Sequence, residues 1–422
     1  MRGKIIQLMN KALKMGFFHL LSANLLLQIA GFGGQILLTR IVPVDDIGRI
    51  RVVQSFFGII TILASAGVST TILKLCSEKI TEKTKNEILN QGILICTITS
   101  VLSIIVVFVI ARLGGFSNDN AINSIMQLYM LLIPLFAFTN LFVAYLQSQK
   151  KIHKMSKVQS YSRVLIILLS TFTAFLFGIY GYVIGLVVSN VLTFIVLIMV
   201  IKRDMKFVFF TKSGSETTKK MLKFSGLALA TSISWQALQS IGIIMANYMN
   251  VDSHEIAYYG IGTLIITTMM IIPSTITQIM VPYISEKHDD RLEINRLLKK
   301  YEQRVIIVMF VVVILSYLIL PILIPFAFGV NYINSIPYFK VLLIGLLFWS
   351  MYSPKHNTLM SIGRIDLNLY ANIISVVINV VLNFILIRYL GMLGIALASS
   401  ITLIIAYFVN ISFYRMVFST KG

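Results

Sequence analysis

Residues 386–396, Leu386-Ile387-Arg388-Tyr389-Leu390-Gly391-Met392-Leu393-Gly394-Ile395-Ala396, link two long apolar runs, Leu367 to Ile387 and Leu393 to Phe413, through a very short break. Similar punctuation occurs earlier, where Tyr180-Gly181-Tyr182-Val183-Ile184-Gly185 stands between Val164 to Tyr180 and Tyr182 to Ile201, with the break at Gly181. About 20 apolar residues suffice to cross a hydrocarbon core of about 30 Å. Each break therefore reads as a tight link between two membrane-crossing helices.

Extending this reading outward gives twelve apolar runs. Phe17 to Thr39, Val52 to Leu73, Gly92 to Ala111 and Ile122 to Leu146 precede the first linked pair. Phe224 to Tyr248, Ile256 to Tyr283, Val305 to Phe328 and Pro337 to Ser361 precede the second. The 422 residues are 57% hydrophobic and only 12% charged, about half the roughly 25% charged share of a soluble protein. That composition excludes a soluble enzyme. A formal charge of +20 would suggest a nucleic-acid partner on a soluble chain, but beside these runs it reads as positive charge at membrane surfaces.

The 36 Lys and Arg residues test the count, because cations should accumulate in every second connection if each run crosses. With the N-terminus inside, all but Arg40, Arg49, Arg51, Arg112, Lys340 and Arg388 fall on the cytoplasmic side. The pattern predicts an even number of helices and both termini in the cytoplasm. It also delimits a basic segment at 1–16, an N-terminal lobe at 17–201, a linker at 202–223, a C-terminal lobe at 224–415 and a tail at 416–422. The connections on the other side are too short to hold a catalytic domain. Cys76 and Cys96 have neither CxxC spacing nor paired His ligands, so they imply neither a disulfide framework nor a metal site.

The halves repeat. Ser77-Glu78-Lys79 closes the second run and Ser285-Glu286-Lys287 the eighth, each followed by a charged amphipathic stretch; Asp46-Ile47-Gly48 likewise faces Glu255-Ile256-Ala257. Six helices per half put both halves on the same side at their start. The expected fold is an all-α polytopic membrane protein, two pseudo-symmetric six-helix bundles with the substrate path between them.

No GxxxxGK[ST] or HExxH motif is present, so nucleotide hydrolysis and zinc chemistry have no support. The 16 carboxylates read as lying in loops or at helix ends, leaving no mid-depth acid to bind an organic cation or relay a proton. Lys355 and His356 stand nine and eight residues before Arg364, roughly 12–13 Å deeper on a regular helix, and Pro354 should kink that helix. Lys355 either snorkels to the interface or lines a cavity and meets an anionic substrate. Arg40 and Arg112 end the first and third helices and read as interfacial anchors or as part of a positive path.

Three amide-rich stripes follow helical spacing: Asn24, Gln28, Gly31 and Gln35; Ser232, Gln236, Gln239, Ser240 and Asn247; and Asn372, Ser375, Asn379 and Asn383. Such amides hydrogen-bond between helices or line a cleft that binds sugar hydroxyls. The candidate substrate-binding residues are Asn24, Gln28, Gln35, Arg40, Arg112, Gln236, Gln239, Lys355, His356 and Asn379. Gly181 and Gly185 form a GxxxG pair, read as helix packing. The basic run Lys150, Lys151, Lys154 and Lys157 reads as a topology signal with anionic-lipid contact.

Several segments carry a family resemblance: Leu38-Thr39-Arg40 with Asp46-Ile47-Gly48; Gly67-Val68-Ser69 to Lys74; Ile272-Pro273-Ser274 to Glu286; Pro325-Phe326-Ala327-Phe328-Gly329 with Tyr332; and 386–396. Nearly end to end, the chain resembles the polysaccharide transporter branch of the multidrug/oligosaccharidyl-lipid/polysaccharide (MOP) flippase superfamily, especially Wzx-type O-antigen flippases. Arg388 replaces that branch's usual proline. The resemblance implies a bacterial inner-membrane flippase that moves an undecaprenyl-diphosphate-linked glycan to the outer leaflet by alternating access. It implies no cofactor, with H+ or Na+ coupling open, and as partners membrane lipids and the polymerase and chain-length proteins of the same pathway, without nucleic acid. Related lipid II flippases carry first-helix arginines where this chain has Gln28 and Gly34, which speaks against lipid II. The alternatives are a multidrug cation antiporter of the same fold and a membrane polysaccharide polymerase or ligase.

Overall fold

A computed structural model of the chain describes residues 17–78, 80–204, 215–285 and 291–419. The expected basic segment 1–16 lies outside the described residues, as do residues 205–214 of the linker and the end of the tail. Among the described residues the chain is helical and has no strand. The helices are α1 (Phe17–Ile41), α2 (Val44–Ser65), α3 (Val68–Leu75), α4 (Glu82–Arg112), α5 (Asn120–Tyr129), α6 (Leu132–Ser148), α7 (Ile152–Asp204), α8 (Ser215–Tyr248), α9 (Ser253–Met269), α10 (Ile271–Ser285), α11 (Arg291–Phe328), α12 (Ser335–Ser361) and α13 (Ile365–Ser419), with a 3-10 turn at Val330–Tyr332. In lipid, a helix satisfies its backbone internally, and that restricts the spanning structures open to this chain.

Eight helical segments among the described residues are long and apolar enough to cross a membrane, and α5 with α6, bent by 43°, makes a ninth. Two of the eight, α7 and α13, are each two limbs joined at a reversal. Counting these limbs separately and adding α1, the described residues hold twelve long helical segments of a multi-pass membrane protein.

The reversals sharpen the expected repeat. In α13 the chain turns at Gly391 (φ 54°, ψ −135°), inside the short break. In α7 it turns at Phe177 and Gly178 (φ 62°, ψ −143° at the glycine), so the expected break at Gly181 is corrected by three residues. Only glycine reaches this backbone region without strain. Gly181 instead packs under the carbonyl oxygen of Thr173, as Gly394 packs under that of Leu386. Both turn glycines follow their carbonyl partner by five residues and precede the packing glycine by three. The repeat register is thus Gly178 with Gly391 and Gly181 with Gly394. Gly185 meets Ser170 and Thr173 of the opposing limb, so the GxxxG pair is limb packing.

A second kind of irregularity lies between α2 and α3, where Ala66 and Gly67 take positive φ values of 47° and 68°. The interruption frees carbonyls inside an apolar span. Thr99 Oγ1 donates to Ala64 O at 2.5 Å and Cys96 Sγ to Ser65 O at 3.8 Å, the kind of side-chain rescue that makes a broken membrane helix tenable. Both cysteines are buried and free.

The chain divides into two compact units, Met1–Ile41 with Leu63–Val106 and Leu128–Ala228, and Val42–Ile62 with Val107–Gln127 and Leu229–Gly422. In the first, Leu89, Cys96, Leu141, Tyr145 and Leu197 form part of a buried cluster. In the second, Met280, Ile284, Leu298 and Leu359 do so. Helices α4 and α11, third in their respective halves, expose rows of large apolar side chains such as Ile98, Leu102, Ile105, Phe310, Leu318 and Ile322. Their place is against lipid tails.

Within the second unit, the segment after α4 is strapped to the end of α8. Ser117 Oγ donates to Asn247 Oδ1 at 2.7 Å, and Asn247 Nδ2 to Phe116 O at 2.7 Å. Tyr248 Oη donates to Gly115 O at 2.7 Å, and Asn118 Nδ2 to Asn250 Oδ1 at 2.9 Å. Arg49 ties the start of α2 to the same segment through Asp119 at 2.7 Å and also meets Asp46 at 2.8 Å.

Candidate functional site

Helix α12 carries Trp349, Tyr352, Ser353, His356, Asn357 and Met360, whose spacings of three and four residues place them on one face. That face lines a cavity of about 490 Å³ in the second unit, completed by Trp235 of α8, Ser274 and Thr277 of α10 and Asn372 of α13. The volume lies within the range of about 300–1,000 Å³ typical of small-molecule sites. Trp235 and Trp349 are the chain's two tryptophans.

Several polar groups here are already committed. Ser274 Oγ donates to Met270 O at 2.7 Å and Thr277 Oγ1 to Pro273 O at 2.8 Å. Asn357 Nδ2 donates to Ser353 O at 2.8 Å, leaving its Oδ1 as an acceptor. Asn410 Nδ2 donates to Ala406 O at 2.8 Å, which turns its Oδ1 toward His356 Nδ1 at 3.2 Å. That orientation assigns the His356 proton to Nδ1 and leaves Nε2 as an acceptor. Asn368 Nδ2 donates to His356 O at 2.9 Å and clamps the start of α13 onto α12. None of the residues lining the cavity is formally charged.

The candidates read from sequence divide between the units. Gln28 and Gln35 are half-buried on α1 in the first unit, and Arg40 is exposed at its end. The Asn24 side chain lies outside the described residues. Arg112 is exposed and stands over the Phe108 ring at 5.4 Å, the posture of an interfacial side chain. In the second unit Gln236 donates to Ser240 Oγ at 2.8 Å and packs against Gly58 of α2. Gln239 and Asn379 meet at a second, smaller cavity, about 60 Å³, with Tyr259, Thr263 and Ser399. Asn379 Nδ2 donates to Thr402 Oγ1 at 3.1 Å and its Oδ1 accepts from Asn383 Nδ2 at 2.8 Å. Asn247 of the α8 stripe is taken up by the strap.

His356 lines the large cavity, but its neighbour Lys355 points elsewhere. The Lys355 ammonium pairs with Glu302 and stands over the Tyr414 ring at 5.8 Å. Glu302 was expected among loop and helix-end carboxylates; it lies inside α11, because that helix extends through the amphipathic stretch before its apolar run. Helix α12 runs through Pro354 as one element.

Several residues at these sites were not singled out in the sequence. Trp235, Trp349, Tyr352 and Asn357 line the large cavity, and the α12 set shares one helical spacing. Arg163 of α7 lies directly against Gly31, which brings a guanidinium to the α1 amide stripe.

Residues 13–288 match the sequence profile of a family described as "Polysaccharide biosynthesis protein". A Shigella flexneri protein named "Putative O-antigen transporter" is 25% identical over 286 residues, 66% of this chain and 66% of that protein. Among solved structures, the lipid II flippase MurJ in an inward closed conformation superposes with a TM-score of 0.77 at 19% identity, over 94% of this chain and 87% of that one. An inward-facing multidrug resistance MATE family transporter of the MOP superfamily gives 0.73 at 18% identity, over 93% and 94%. The twelve helices therefore have the MOP flippase fold.

Proposed function

Because the chain belongs to the polysaccharide biosynthesis protein family, we propose that it is a flippase carrying an undecaprenyl-diphosphate-linked oligosaccharide repeat unit, of O-antigen or a related surface polysaccharide, from the cytoplasmic to the outer leaflet. In this reading the protein resides in the bacterial inner membrane with both termini in the cytoplasm. It works by alternating access, is not an enzyme, and uses no cofactor, with H+ or Na+ as the candidate coupling ion. The polymerase and chain-length proteins of the pathway receive its product.

The observation that carries the reading is that, among the described residues, no carboxylate lines either cavity of the second unit. A cation antiporter needs an acid there, because an organic cation taken out of water must be paired. Glu302, the carboxylate nearest to that role, is neutralised by Lys355. Amides and hydroxyls suit a glycan instead, and Gln28, Gln35, Gln236, Gln239 and His356 are the contacts assigned to it, while Asn379 is held by Thr402 and Asn383. Asn24, Arg40 and Arg112 complete the proposed set, the two arginines serving the diphosphate, whereas Lys355 is taken up by Glu302.

Deletion of the gene tests this. The expected result is accumulation of a lipid-linked repeat unit on the cytoplasmic leaflet and loss of surface glycan. Unchanged surface glycan without accumulation would refute the proposed role.

A further inference from the structure

The large cavity of the second unit is bordered by polar groups that no described residue satisfies. Asn372 is only 9% exposed and Tyr352 only 5%. Neither the Asn372 carboxamide nor the Tyr352 hydroxyl has a hydrogen-bond partner among the described residues, and both border the cavity. The indole N–H groups of Trp235 and Trp349 likewise lack a described partner. These groups border the cavity, so their hydrogen-bonding capacity is open to whatever fills it. The mostly buried Tyr352 and Asn372, with the more exposed indoles of Trp235 and Trp349, suit an occupant with oxygens to accept from the indoles. It must also offer hydroxyls to donate to Asn357 Oδ1 and His356.

The occupant's charge follows from the lining. A phosphate offers acceptors but would be buried with no Lys or Arg beside it, at a large desolvation cost. An organic cation would find aromatic faces but no carboxylate to pair with. A neutral ring with an apolar C–H face and a hydroxylated edge meets both demands, its face on the indoles and its edge on the amides.

We propose that this cavity is a saccharide site, with Trp235 and Trp349 as stacking platforms and Tyr352, His356, Asn357 and Asn372 binding the hydroxyls of one hexose unit of the cargo. The proposal rests on the flippase reading above and adds that the sugar, not the diphosphate, is recognised here.

Both tryptophans line the cavity, so intrinsic fluorescence of the purified full chain reports on it directly. Titration with glucose, galactose, N-acetylglucosamine and N-acetylgalactosamine is expected to shift emission saturably for at least one sugar. Inorganic pyrophosphate and tetraphenylphosphonium are expected to leave it unchanged. Asn372→Leu should weaken the sugar response about tenfold, as loss of a central contact does. In cells, Trp349→Leu should cut surface glycan about tenfold at equal protein level, while Trp349→Phe, which keeps an aromatic face, should retain most of it.

The proposal is overturned if no sugar moves the emission, if pyrophosphate or tetraphenylphosphonium saturates it instead, or if Trp349→Leu delivers glycan normally. Failure of the flippase reading would show differently, as absence of lipid-linked intermediate in the deletion strain while sugar still shifts the emission.

Discussion

Lys355 shows how much a side chain's meaning depends on its partner. Nine residues from Arg364 on an apolar helix, it reads as a cation available to an anionic substrate. In the fold its ammonium meets Glu302, and both side chains are mostly buried, 17% and 16% exposed. A charge left alone at that depth is costly whichever partner is removed. Lys355→Met should therefore lower stability by roughly 1–3 kcal/mol by leaving Glu302 unpaired, and adding Glu302→Gln should recover most of the loss. Thermal unfolding in detergent measures both. A double variant no more stable than the single one would show that the pair is not coupled. His356 was legible as a site candidate because it stands beside Lys355, about two turns deeper than Arg364. Trp349 and Tyr352 were not, because aromatic residues in a membrane helix are ordinary until the structure shows that their polar atoms have no partner.

At the level of elements, the glycines of α7 and α13 set where each hairpin reverses. Both turn glycines have φ near +60° with strongly negative ψ, a region that an L side chain enters only at about 1–3 kcal/mol. Gly178→Ala and Gly391→Ala should each destabilise the protein by that amount, measured as a shift in thermal unfolding. Unchanged stability in either would place the reversal elsewhere. The existence of both hairpins was legible from apolar runs too long for one crossing. The first turn's position was not, since Gly178 and Gly181 are equally able to turn a chain. The choice falls on Gly178 because Gly181 is needed under the Thr173 carbonyl. The interruption at Ala66 and Gly67 was hidden for a similar reason, as the hydroxyl and thiol that rescue the freed carbonyls come from another helix.

For the molecule as a whole, the strap between 115–118 and 247–250 lies at helix ends that the charge count places outside. In the proposed alternating-access cycle such contacts part. Oxidised cross-linking of an Asn118→Cys/Asn250→Cys variant should arrest glycan delivery, and a reductant should restore it, with either single variant active. The two native cysteines are buried and give little background reaction. Full delivery with the cross-link formed would show that the strap stays closed throughout.

The sequence by itself determined the class, the number of crossings and the duplication. Lipid penalises every unpaired backbone group and interior charge, so each crossing leaves a contiguous apolar run with charge at its borders. Tertiary structure alone decided which polar side chains are spent on the protein and which remain for a ligand. Asn379, Asn247 and Asn372 look alike on a helical wheel. The first is held by Thr402 and Asn383, the second by Ser117 and Phe116, and the third opens onto the cavity with the two tryptophans. A hydrogen bond depends on both of its partners, and here the second partner comes from a helix remote in sequence.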